Sequence, residues 1–209
     1  MVDLLSRDDY YALAGQIDFP RTAFIDGRFQ AGHGNEFETL NPATGQQLTT
    51  IAGCDAGDVD LAVARAREAH DAGRWSKIDP SERKDTLIRL CKLMTRNRRE
   101  LAVLESLESG KPIRDCEMVD VPEAIQAVKW HAEATDKLYD QVAPTGDHAL
   151  AMIVREPLGV VGLVLPWNFP LLMLAWKIAP ALSAGNAVIV KPAEQTSMTA
   201  LRVAELAHE

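Results

Sequence analysis

Asn168, Lys191 and Glu194 are the residues of this sequence whose types and placement best suit chemistry, since each lies just beyond a short apolar run interrupted by proline. A side-chain amide offers donors to a developing negative charge, an ammonium offers a compact positive charge, and a carboxylate accepts bonds from hydroxyls. Taken singly, each also has an ordinary explanation. Asn is common in turns, a Lys at a strand end is solvated, and a Glu before Ser or Thr serves the start of the next helix.

The elements that must position these groups can be read around them. Gly159 to Leu165 is a run of Val, Leu and Gly that suits a strand covered on both faces, as in a parallel sheet. Pro166-Trp167-Asn168-Phe169-Pro170 is a forced turn, because neither proline can donate to a ladder and each biases its predecessor away from helix. Leu171 to Ser183 reads as a buried helix with Lys177 its only charge, and Gly185-Asn186 ends it as a left-handed cap would. Ala187 to Val190 is a second apolar strand. Strand, helix, strand is the crossover unit of a doubly wound α/β fold, in which ligands sit beyond the carboxyl ends of the strands. The two polar clusters are therefore expected to face one crevice.

Pro166-Trp167-Asn168-Phe169-Pro170 followed by Lys191-Pro192-Ala193-Glu194-Gln195-Thr196, and preceded by Glu108-Ser109-Gly110-Lys111-Pro112 and Asn41-Pro42-Ala43-Thr44-Gly45, resembles the amino-terminal part of the NAD(P)-dependent aldehyde dehydrogenases. The similarity runs from about Phe24 to the last residue. Lys111-Pro112-Ile113-Arg114, Ala132 to Lys137 and Met152 to Pro157 most resemble the γ-glutamyl-γ-aminobutyraldehyde dehydrogenases of polyamine degradation. The resemblance implies a partial doubly wound (Rossmann-like) cofactor domain plus a β-hairpin oligomerisation arm. Residues 1–139 would begin the cofactor-binding domain, 140–158 would form the hairpin, and 159–209 would be a truncated crossover unit.

It also implies roles. Aldehyde oxidation through a thiol passes through a tetrahedral adduct whose oxygen carries negative charge and needs preorganised donors. Asn168 would supply one. Glu194 would accept bonds from the adenosine ribose hydroxyls and favour NAD over NADP by repelling a 2′-phosphate, while Lys191 would soften that preference. Leu165, Pro166 and Trp167 would add backbone and apolar contacts to the same cofactor, with Asn168 beside it. Phe169, Leu172, Met173 and Trp176 share a helical face that is either core or the wall of an aldehyde channel. Thr39, Glu108 and Gln195 match positions that hold a monovalent cation in some relatives, but Glu108 stands where Asp is usual, and no metal site is assigned.

Composition bounds the rest. With 209 residues, 47% apolar and 25% charged, the sequence can pack a core. A net charge of −8 argues against nucleic acid as a partner. The uncharged run Leu158 to Trp176 approaches the length that spans a bilayer, but Pro166, Asn168 and Pro170 break its middle, so no membrane span is expected. Cys54, Cys91 and Cys116 lack metal or redox spacing and read as reduced thiols of a cytoplasmic protein. The five histidines show no metal spacing and no Ser partner. No Gly-x-Gly-x-x-Gly occurs.

Elsewhere, Asp26-Gly27 signals a hairpin between Ala23 and Phe29. Helices are expected over Asp58 to Ala72, from Asp79-Pro80-Ser81-Glu82 through Leu87, Leu90, Cys91 and Met94, and from Pro122-Glu123 to about Tyr139. Gln141 to Arg155 reads as strand, turn and strand. The sequence ends within a helical pattern, Met198 to Glu209, with no Gly or Pro stop signal, and so reads as an amino-terminal fragment. The resemblance implies that the longer parent is a homo-oligomeric enzyme acting on a small aldehyde. A second reading takes the chain as a non-catalytic product that acts through its hairpin as an interaction module.

Overall fold

The computed structural model describes residues 4–209. The first helix, α1 (Arg7–Ala14), opens on a capping box in which the Ser6 side chain and Asp9 exchange bonds with each other's backbone. Two hairpins follow. β1 (Ala23–Ile25) pairs with β2 (Arg28–Gln30), and Asp26 and Gly27 take φ of 54° and 74°, the double positive angle a two-residue hairpin turn requires. β3 (Phe37–Leu40) and β4 (Gln47–Ile51) are joined by the expected Asn41 to Gly45 turn, closed by Gly45 N–H donating to the Asn41 carbonyl at 2.7 Å.

The helical body comprises α2 (Ala56–Asp71), α3 (Pro80–Arg96), α4 (Arg98–Ser109), the single turn α5 (Ile113–Asp115), a π-helical turn Cys116–Asp120, and α6 (Val121–Ala134). α2 starts two residues before the expected Asp58, because Asp55 is the cap and Asp58 reaches back to it. α6 stops at Ala134, short of the expected Tyr139. Lys137 lies beyond its end, where its ammonium donates to the Glu133 carbonyl at 2.5 Å.

β5 (Gln141–Ala143) and β6 (Ala151–Ile153) form the expected antiparallel hairpin, whose Val142, Leu150, Met152 and Ile153 are exposed. Then come β7 (Val160–Val164), α7 (Pro170–Ser183), β8 (Ala187–Lys191) and α8 (Met198–His208). β7 and β8 are parallel, in register from Val160 opposite Ala187 to Val164 opposite Lys191. The crossover unit is thus present as a two-stranded parallel sheet. One expectation needs correction: Val164 is 71% exposed, so β7 is covered on one face within this chain and not on both. Its apolar composition exceeds what its burial here requires.

Gly185, at φ 86°, ends α7 as expected, and Asn186 does more than cap. Its side chain accepts from Gly159 N–H at 3.0 Å and donates to the Ala181 carbonyl at 3.1 Å, tying the end of α7 to the entry of β7. The main core joins α3, α4, α6, α7 and α8 through residues such as Met94, Leu101, Val128, Leu171 and Leu206. A smaller core around Ile51, Leu104 and Met198 seats β4 against α4 and α8. α4 belongs to both.

Candidate functional site

Leu165 carries the chain off β7. It is buried, and its N–H donates to the Lys191 carbonyl at 3.0 Å, so the last rung of the parallel pair joins the two predicted clusters through their backbones. Pro166, Trp167 and Asn168 then stand exposed. Among the described residues none bonds to the Asn168 side chain, which leaves its amide available. Phe169 is half-buried and caps α7 by position only, with no side-chain bond of its own, and Pro170 occupies the first helical position. Leu172 on the proposed channel face is buried, whereas Trp176 is 51% exposed. That face is therefore divided between core and surface.

At the end of β8, Lys191 and Glu194 are exposed and paired at 2.5 Å. The Lys191 bond holds the Glu194 carboxyl below its usual range, so it stays an anion and an acceptor at neutral pH. Two open grooves, of 570 and 440 Å³, lie elsewhere, along α8 with the Asp18 to Thr22 segment and between α1 and the Arg96 to Glu100 region. Neither is lined by Trp167, Asn168, Lys191 or Glu194.

Behind both clusters lies a set of groups that periodicity did not reveal. α4 buries Glu105 and Glu108, one turn apart. Glu105 accepts from Leu171 N–H at 3.1 Å, at the start of α7. Glu108 accepts from Met198 N–H at 2.7 Å and from the Thr199 hydroxyl at 2.5 Å, at the start of α8. Helix N-termini present orphan N–H groups and a partial positive charge, which buried carboxyls satisfy. Burial and then the neighbouring Glu108 push Glu105 up to about 8, and burial pushes Glu108 up to about 7. Lys111 pairs with the buried Asp120 at 2.6 Å and places its ammonium 3.3 Å from the centre of the Phe169 ring. The sequence signal was present in Glu105, Glu108 and Lys111 around Gly110, but only contacts across the fold give it meaning.

Residues 29–209 match the model of the aldehyde dehydrogenase family. The chain belongs to that family. It is 60% identical to an aminoacetaldehyde dehydrogenase of Pseudomonas aeruginosa over 210 aligned residues, covering 100% of this chain and 42% of the relative. It superposes with TM-score 0.95 and 46% identity on a γ-glutamyl-γ-aminobutyraldehyde dehydrogenase of Burkholderia cenocepacia, covering 97% of this chain and 41% of that one. An indole-3-acetaldehyde dehydrogenase complexed with NAD+ gives the same TM-score of 0.95 and 46% identity over 98% of this chain and 41% of the other. The chain spans about two fifths of these proteins, 42% and 41% of their lengths.

Within this aldehyde dehydrogenase chain no cysteine is activated. Partial desolvation and then the nearby Asp58 and Asp55 carboxylates raise the exposed Cys54, and burial pushes Cys91 up to about 11 and Cys116 up to about 12. All three are unpaired. Of Thr39, Glu108 and Gln195, compared above with a cation site, Thr39 is buried with its hydroxyl lacking a partner among the described residues, Glu108 is committed to α8, and Gln195 is exposed. His33, Asp55 and Asp58 do converge, a grouping unseen in the sequence; His33 Nδ1 sits 2.6 Å from Asp58, and Asp55 and Asp58 already form the α2 cap. The Asp55–Asp58 cap and the two His33 bonds to Asp58 account for the grouping. No helix among the described residues is long and apolar enough to cross a membrane.

Proposed function

We propose that this sequence supplies the cofactor-facing and oxyanion part of an NAD(P)-dependent aldehyde dehydrogenase that oxidises a small aldehyde, an aminoaldehyde such as γ-glutamyl-γ-aminobutyraldehyde, to its acid. The observation carrying this reading is the parallel β7–β8 pair, which delivers the Asn168 turn and the Lys191–Glu194 pair to the same carboxyl edge. The donor set suits the cofactor: an exposed carboxylate kept ionised can accept from ribose hydroxyls, and Lys191 adds a cation beside it. Leu165, Pro166 and Trp167 would line the same ligand. When bound, the dinucleotide supplies the hydride acceptor. Asn168 donates its side-chain amide to the substrate oxygen, stabilising the charge that gathers there as the carbonyl becomes tetrahedral.

The names of the relatives support the substrate class, and the relative solved with NAD+ supports the cofactor. The exposed β5–β6 hairpin supports assembly of like subunits through this arm, and three unpaired thiols support a reducing, cytoplasmic setting. The test uses an enzyme of the relatives' full length that carries this sequence. Asn168→Ala should lower kcat about a hundredfold or more while NAD binding stays largely intact, because an oxyanion donor acts mainly in the transition state. A loss below about threefold would reduce Asn168 to a turn residue.

A further inference from the structure

We infer that Glu105 is a positioning residue, which sets where the Asn168 amide stands by holding the first turn of α7. The inference rests on the oxyanion reading of Asn168. α7 begins without local help: its cap, Phe169, has no polar side chain, and Pro170 has no N–H to offer. Leu171 therefore carries the first backbone donor of the helix. That donor meets the Glu105 carboxyl, at 3.1 Å from one oxygen and 3.4 Å from the other, across 66 residues of sequence. Both Glu105 and Leu171 are completely buried. A buried helix start without a partner would leave orphan amides, so this single carboxyl fixes where α7 begins.

A second hold acts on the neighbouring residue. The Lys111 ammonium lies 3.3 Å from the Phe169 ring centre and is itself anchored on Asp120. On the other side of the turn, Leu165 is pinned to Lys191. Between these anchors Pro166, Trp167 and Asn168 are exposed, and the Asn168 side chain bonds to none of the described residues. Its place is consequently dictated from the two ends. A shift of α7 at Leu171 passes directly to Asn168, three residues earlier, and a misplacement of about 1 Å at a reacting centre costs up to about a hundredfold in rate.

The experiment is a double-mutant cycle in the full-length enzyme carrying this sequence, with Tm recorded for every variant. Glu105→Asp, which draws the carboxyl back by one methylene, and Glu105→Ala, which removes it, should each lower kcat about tenfold and leave KM for NAD within about twofold. Glu105→Gln, whose amide oxygen still accepts from Leu171, should recover kcat to within about threefold of the unaltered enzyme. In the Asn168→Ala background the Glu105 replacements should change kcat by less than about twofold, because the group they position is gone. Equal losses in both backgrounds would show that Glu105 acts by general stability and would overturn the inference. So would an unaltered kcat in Glu105→Ala, or a Glu105→Gln as impaired as Glu105→Ala. Failure of the oxyanion reading itself has a different signature, an Asn168→Ala enzyme that keeps its activity, and it would remove the inference as well.

Discussion

Glu194 is exposed and held ionised by Lys191, so its proposed ribose role can be tested apart from folding. In a full-length enzyme, Glu194→Gln should shift the ratio of kcat/KM for NAD over NADP toward NADP by about tenfold, the equivalent of about 1.4 kcal/mol. An unchanged ratio would remove Glu194 from the ribose site. Glu105 and Glu108 behave oppositely, because both are buried and hold their protons well above the unfolded value of 4.5. The folded state then binds more protons than the unfolded state between about pH 4.5 and 8, and stability falls as pH rises through that window. Glu105→Gln, which cannot ionise, should gain on the unaltered protein in urea unfolding as pH goes from 5 to 8. A gap that stays constant with pH would show that Glu105 is ionised throughout.

Elements here owe their starts to identifiable side chains. Asp55 accepts from Asp58 N–H at 3.0 Å, and Asp58 returns a bond to the Asp55 backbone while also holding His33. Asp55→Ala should therefore cost about 1 kcal/mol, seen as an earlier urea midpoint with unchanged slope. The cap of α3, unlike that of α2, was expected from the sequence: Asp79 accepts from Ser81 N–H at 2.8 Å, and Pro80 follows it. By contrast, the starts of α7 and α8 have no side-chain cap of their own and depend on α4. The π-helical turn before α6 was likewise not legible, because its buried Glu117 is matched by Tyr10 and Arg99 from other helices and its buried Asp120 by Lys111 from beyond the end of α4. Local capping chemistry is printed in a few adjacent letters, while tertiary capping is not.

At the scale of the molecule, exposed apolar side chains on β7 and around the hairpin accompany thiols that are all poorly ionised. Val164 and Leu158 are 71% and 88% exposed, and Tyr139, Val142, Leu150 and Met152 are exposed on and beside the hairpin. The purified 209-residue chain is accordingly expected to self-associate, with sedimentation velocity showing species larger than 22.9 kDa. Met152→Lys should shift that distribution toward monomer if the hairpin carries the contact. The same chain should not produce NADH from an aliphatic aldehyde, since its thiols are raised and none lies in the Asn168 turn. Steady NADH formation, abolished by replacing any one of Cys54, Cys91 or Cys116, would contradict this.

Sequence alone determined the crossover unit, the first hairpin and the Asn41 to Gly45 turn, the Asp79 cap of α3, the family resemblance and the three residues placed at the strand ends. These are short-range consequences of apolar periodicity, proline geometry and positive φ at glycine, and a single segment carries each of them. Tertiary structure decided where α6 ends, that β7 is half-covered, and that Asn186 stitches α7 to β7. It also decided that α4 holds the starts of α7 and α8 through Glu105 and Glu108. These depend on which carboxyl meets which amide after folding, over separations of 66 and 90 residues, and no local pattern encodes a partner that far away.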